Sequence, residues 1–160
     1  MASVYIETTI PSASLDERSD VVSSYQRHQT RLWWKEQGPR YELYTSEAVL
    51  AELRRESFPG QADALRLLDG LPVLPMTDEV VGVAQAYVDH LVMPRGHLGD
   101  SFHLAFASVY EMDYLLTWNC RHLANPRKVS HIAEINRRLG LLTPIILTPQ
   151  MLVDGEGDHE

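Results

Sequence analysis

The most constraining feature of this chain is a set of short apolar runs, Val4-Tyr5-Ile6, Glu42-Leu43-Tyr44-Thr45, the pair between Pro72 and Pro75, Tyr114-Leu115-Leu116-Thr117 and Ile145-Ile146-Leu147, parted by stretches with helical periodicity. Over 20–37, Val21, Val22, Tyr25, Leu32 and Trp33 recur at roughly helical spacing until Gly38-Pro39 ends the pattern. Ser46 is placed to cap a helix carrying Val49, Leu50 and Leu53. Further helices are predicted over 62–68, ending at Gly70, over 78–92, from Asp100 with Phe102, Phe106 and Val109 on one face, and over 129–139. Thr8, Thr9 and Pro11 read as a loop leading into the first helix. Runs this short, alternating with helices, describe an α/β chain whose mostly parallel sheet of about five strands is covered on both faces.

With 160 residues and no Ser/Gly-rich linker or internal repeat, the chain reads as one domain over 1–152. Residues 153–160 form an acidic tail that reads as disordered. The N-terminus runs straight into a strand instead of a basic region and long apolar core, no segment has the apolar length to cross a bilayer, and the lone Cys120 has no internal disulfide partner. A cytoplasmic protein without a membrane partner is therefore expected. A net charge of −8 argues against holding nucleic acid by bulk positive charge, so a phosphate ligand needs local help, and the late cluster Arg121, Arg127, Lys128, Arg137 and Arg138 is one source of it.

Parallel sheets bind ligands outside the carboxyl ends of their strands. Here those ends carry Glu7-Thr8, Thr45-Ser46 and Thr117-Trp118-Asn119, and the helix starting at Asp100 is within reach of the same rim. Glu7, Glu52 and Asp100 are thus candidate metal ligands: carboxylates from separate strand and helix boundaries supply hard oxygen donors for Mg²⁺ or Mn²⁺, which activates water against a phosphate. Each has a plainer role open to it. Glu7 suits a loop carboxylate, Glu52 a solvated rim residue with Glu47 and Glu56 as rivals on its helix, and Asp100 an N-cap. Similarly, His103 suits a packed helical histidine and Asn119 a turn residue.

Taken in order, Val4-Tyr5-Ile6-Glu7-Thr8-Thr9-Ile10-Pro11, Thr45-Ser46-Glu47-Ala48-Val49-Leu50-Ala51-Glu52-Leu53, Gly99-Asp100-Ser101-Phe102-His103-Leu104-Ala105-Phe106-Ala107 and Tyr114-Leu115-Leu116-Thr117-Trp118-Asn119 resemble a PIN domain, most closely the VapC toxins of bacterial toxin–antitoxin pairs. The resemblance spans nearly the whole chain. It implies a three-layer α/β/α fold and an endoribonuclease that uses Mg²⁺, with Mn²⁺ as a substitute. By position, Glu7 stands where the family usually has Asp, Glu52 matches its helical Glu, Asp100 its later acid, and Asn119 a place where many relatives have Asp. A further acid of the family would fall near His122. On this reading Glu7, Glu52 and Asp100 hold the metal and Asn119 orients water or phosphate. Thr8, Thr9 and Ser101 are candidate donors behind them, with His103 and His122 also near the substrate. RNA as substrate, a cognate antitoxin and a homodimer are the implied partners.

The alternative is a weakened or inactive PIN-like domain that binds RNA or a protein. A phosphohydrolase with an Asp nucleophile would want an acid where Thr9 stands, and a receiver domain would want a Lys that Leu147-Thr148-Pro149 does not supply. Trp33 and Trp34, about 100° apart on one helix, offer a last expectation. If one ring stays exposed beside Val21, Val22 and Tyr25, that face suits a second copy or an antitoxin helix, whereas both rings buried would make them core.

Overall fold

A computed structural model of the protein describes residues 1–55 and 57–151. The expected acidic tail over 153–160, like the rival carboxylate Glu56, lies outside the described residues. The strands are β1 (Ser3–Ile6), β2 (Glu42–Ser46), β3 (Val73–Leu74), β4 (Tyr114–Leu116) and β5 (Ile145–Leu147). All pair in parallel in the order β3-β2-β1-β4-β5. The helices are α1 (Thr9–Ser14), α2 (Val21–Glu36), α3 (Glu47–Arg55), α4 (Gln61–Leu67), α5 (Asp78–Asp89), α6 (Leu98–Val109) and α7 (Val129–Leu139), with short 3₁₀ turns at Gly38–Arg40 and Pro126–Lys128. The result is a three-layer α/β/α domain.

Burial explains the hierarchy of the strands. β1 is central, and Val4, Tyr5 and Ile6 are wholly buried, as are Leu115 and Leu116 of β4 beside them. Such continuous apolar runs are what a parallel strand covered on both faces requires. α6 is similarly submerged: Leu104, Ala105, Phe106 and Ala107 are all buried, so this helix has little solvent face. Local chemistry sets several boundaries. Asp20 accepts from the Ser23 N–H at the start of α2, Thr77 from Val80 at the start of α5, and Ser46 Oγ from Val49 N–H (3.2 Å) in the first turn of α3, as the sequence led us to expect for Ser46.

Chain order reverses direction across β1 and β4: β2 and β3 lie to one side, β4 and β5 to the other. That is the topological switch point where open parallel sheets bind ligands. Ile6 pairs with Leu116, and the ladder continues through Glu7 N–H to Leu116 O at 3.2 Å. Glu7 and Thr117 therefore leave the sheet side by side at this crevice.

Three boundaries differ from the sequence expectation. The segment read as a loop at Thr8, Thr9 and Pro11 is helical from Thr9, because Pro11 falls in the first turn, where a missing N–H costs nothing. α5 stops at Asp89, not 92: Leu91 has φ +59°, and the Val92 and Met93 N–H groups both return to Tyr87 O. Val92 and Met93 are buried all the same, so their apolar spacing imitates one more helical turn. α6 begins at Leu98 with His97 as its N-cap residue, which makes Asp100 its third residue and not the cap.

Candidate active site

Glu7 is buried, yet one of its oxygens is fully provided for. Oε1 accepts from Thr9 N–H (3.0 Å), Thr9 Oγ1 (2.5 Å) and Thr117 Oγ1 (2.8 Å). The two hydroxyls are themselves oriented, since Trp118 N–H donates to Thr9 Oγ1 (2.8 Å) and Asn119 N–H to Thr117 Oγ1 (2.9 Å). Parallel pairing of β1 and β4 thus delivers a carboxylate whose Oε1 is pinned while Oε2 faces His103 at 3.8 Å.

His103 sits one turn beyond Asp100 on α6 and is completely enclosed. Its Nε2 donates to Glu52 Oε1 (2.7 Å) and lies 3.4 Å from Thr8 Oγ1; its Nδ1 meets Tyr5 OH at 2.8 Å, which in turn meets Ser46 Oγ at 2.8 Å. Burial disfavours the charged imidazole, but the Glu52 hydrogen bond and the charges of Glu7, Glu52 and Asp100 outweigh it and raise the His103 pKa. Glu52 mirrors this. Burial pushes its pKa up, while the His103 bond and charge, with help from Thr8 and Arg55, bring it below the usual carboxylate value. For Tyr5, burial drives the phenol pKa far upward, so it remains a neutral relay.

Asp100 forms the third corner. Its Oδ1 accepts from Asn119 Nδ2 (3.0 Å) and its Oδ2 lies 3.6 Å from His97 Nδ1. Asn119 Oδ1 accepts from His122 N–H (3.0 Å), which fixes the amide so that its NH₂ points at Asp100. Asn119 is therefore both a turn residue and a partner of Asp100. Gly99, in the first turn of α6, leaves room for Glu52: a Cβ there would meet Glu52 Oε1 at 3.2 Å. Thr8, Glu52, Arg55, His97, Gly99 and Asp100 line one cleft of about 880 Å³, with Glu7 buried behind it.

Glu7, Glu52, Asp100, Asn119, Thr8, Thr9 and His103 are thus brought to one place, and His122 reaches its edge. Ser101 takes no part in this hydrogen-bond network: its Oγ is buried without a hydrogen-bond partner among the described residues. Glu47, the rival on α3, accepts from Met76 N–H at 2.7 Å and serves the turn into α5. Of the late basic cluster, Arg137 and Arg138 hold Glu134, on the exposed side of α7. Tyr5 and His97 belong to the site without having been singled out, and Ser46 and Thr117, named only as strand-end residues, join them. Thr117 had a signal in its place at the end of β4 beside β1, whereas the contacts of Tyr5 and His97 exist only once the chain is folded.

No protein-family model matches the sequence, and no curated protein matches it. Solved structures do. VapBC2 from Rickettsia felis, determined bound to a DNA fragment from its promoter, superposes with a TM-score of 0.53 at 15% identity, covering 91% of this chain and 98% of that one. This chain has a VapC-like PIN fold. VapC20 of Mycobacterium tuberculosis, a Sarcin-Ricin loop cleaving toxin, is also similar, at 20% identity over 70% of this chain and 86% of that one, with a TM-score of 0.48. In the PIN fold of this chain the acid-bearing cleft lies at the β1/β4 switch point, and no helix among the described residues is long and apolar enough to cross a membrane.

The donors present suit a hard divalent cation. Three carboxylates surround a single enclosed imidazole, so negative charge remains in excess even with His103 protonated. Two of those carboxylates open onto the cleft. Oxygen ligands with uncompensated charge are what Mg²⁺ or Mn²⁺ requires.

Proposed function

We propose that this chain is a Mg²⁺- or Mn²⁺-dependent endoribonuclease that hydrolyses RNA phosphodiester bonds, the toxin of a toxin–antitoxin pair. The observation that carries this reading is the opening of Glu52 and Asp100 onto one cleft at the switch point of a PIN-like sheet, with the Glu7 carboxylate buried behind it and facing the same histidine as Glu52.

Glu7, Glu52 and Asp100 would hold the ion. When bound, a divalent cation supplies Lewis-acid polarisation of a phosphate oxygen and a water of lowered pKa. The protein's part is positioning. Thr9 and Thr117 lock one oxygen of Glu7, leaving the other to face the site. His103 holds Glu52 by one oxygen and damps the repulsion between Glu52 and Glu7. Asn119 holds Asp100 through its amide and keeps one further N–H for a water or phosphate. Arg55, on the cleft wall, offers the local positive charge that an RNA strand needs on an acidic protein.

An antitoxin is the expected protein partner, as the Rickettsia structure contains a VapB–VapC pair, and a homodimer and a cytoplasmic setting accompany that reading. The face suited to it is the start of α2, where Val21, Val22 and Tyr25 are exposed, and not the tryptophans: Trp33 is fully buried and Trp34 packs partly against the core. A second reading, a PIN-like domain that binds RNA or protein without cutting, is favoured by one observation. An amide and a histidine, Asn119 and His122, stand around Asp100 where further carboxylates would strengthen metal binding.

Incubating metal-stripped protein with a structured RNA decides between them. Cleavage restored by Mn²⁺ and abolished by chelator is expected. Cleavage indifferent to chelator, or none at saturating Mn²⁺ and Mg²⁺, contradicts the nuclease reading.

A further inference from the structure

We propose that His97, Asp100 and His122 form a transition-metal site of the Zn²⁺ class, separate in its imidazole ligands from the carboxylate site on Glu7 and Glu52. A ring nitrogen from each histidine and a carboxylate oxygen of Asp100 lie within 4.8 Å of one another, a grouping of three such ligand atoms that the Glu7, Glu52 and Asp100 set does not form among the described residues. The two rings are 4.3 Å apart between centroids and tilted by 47°.

The spacing resembles that of ligands more than that of hydrogen-bond partners. His97 Nδ1 and Asp100 Oδ2 are 3.6 Å apart, beyond an ordinary hydrogen bond. Two ligands at about 2.0–2.1 Å from a tetrahedral ion stand roughly 3.4 Å from each other. A site of two imidazoles and one carboxylate suits Zn²⁺, Co²⁺ or Ni²⁺ far better than Mg²⁺, which prefers an all-oxygen shell.

The surroundings leave this corner available. Asn119 engages Asp100 Oδ1 and leaves Oδ2 to the histidines. Lys128, one of the nearby cations, directs its ammonium to Val92 O at 3.0 Å. His97 lines the cleft, so water or a substrate oxygen can complete the coordination shell. Because Asp100 is common to both sites, a Zn²⁺-class ion at the histidines and a hard ion at Glu7 and Glu52 share one carboxylate, each oxygen serving a different ion.

The test is a titration of the full chain with Co²⁺ in the absence of RNA, followed by its visible absorption, with Cys120→Ser as background to remove the exposed thiol. Saturable binding displaced by Zn²⁺ is expected, weakened at least about tenfold by His97→Ala or His122→Ala and untouched by His90→Ala. His97 is exposed and His122 partly buried, and circular dichroism matching wild type is required of each variant before its Co²⁺ affinity is compared. Zn²⁺ should also protect His97 and His122, but not His90, from acylation by diethylpyrocarbonate, read by mass spectrometry. Co²⁺ affinity in the double variant within about twofold of wild type, or rings left unprotected by Zn²⁺, overturns the proposal. The readout needs no catalysis: RNA cleavage without Co²⁺ binding sinks this site alone, and Co²⁺ binding without cleavage supports it while the nuclease reading fails.

Discussion

His103 is the residue on which the acidic cluster depends in the absence of metal. It joins the cleft carboxylate of Glu52 to the buried Tyr5 and faces the buried Glu7. Replacing it with Leu removes the imidazole partner of Glu52 and leaves the Tyr5 hydroxyl with Ser46 alone, and the expected loss is roughly 2–4 kcal/mol in chemical denaturation. The pH dependence has a definite sign. His103 has a raised pKa, so its contribution is full below the unfolded value of about 6.5 and fades as pH climbs through the higher folded value. Glu52 has a lowered pKa, so its contribution is full above about 4.3 and fades as pH drops through the lower folded value. Thermal melts of the chelated protein should therefore show greatest stability between these limits, and His103→Gln should flatten the alkaline side. An identical alkaline slope in the variant would remove His103 from this role. Asn119→Asp tests the opposite corner: the new carboxylate keeps its bond to His122 N–H and sets its second oxygen against Asp100 Oδ1. Lower stability in chelator and tighter Mn²⁺ binding by calorimetry are expected together. Unchanged Mn²⁺ affinity would place Asn119 away from the ion.

At the scale of elements, α2 shows why an interface cannot be assigned from aromatic content. Trp33 is wholly buried, stacked on Tyr41 and edge-on to Trp34, so Trp33→Ala should cost about 3–5 kcal/mol and report on folding, not association. The exposed apolar group lies three turns earlier. Val22→Asp with Tyr25→Asp should leave the melting temperature within a few degrees of wild type and abolish self-association or antitoxin binding in sedimentation; intact assembly would exclude this face. The strands and the placing of Glu7, Glu52 and Asp100 were legible beforehand, because apolar runs and strand-end acids are local patterns. Helix starts were less so. Asp100 has the chemistry of a cap, but Gly96 at φ +88° and His97 begin α6 earlier and move it to the third position. Least legible were the links between distant positions, such as Tyr5 with His103 or His97 with His122, since no local periodicity encodes which side chains of separate elements meet.

For the whole molecule, the proposed function carries a tension: a chain of net charge −8 would have to accept a polyanion at a cleft floored with carboxylates. On that proposal a cation at those carboxylates would relieve both repulsions and would tie metal binding to substrate binding and to stability. Mn²⁺ at 100 times its dissociation constant should stabilise the fold by about 2.7 kcal/mol, an effect that Asp100→Asn should largely remove. The most direct measurement is single-turnover cleavage of RNA in Mn²⁺ by wild type, Glu52→Gln and Asp100→Asn, each verified as folded. The expected result is cleavage by wild type that chelator stops, and a fall of at least about 100-fold, or 2.7 kcal/mol of barrier, in each variant. Full activity in both variants would contradict the assignment of this cleft as the catalytic site.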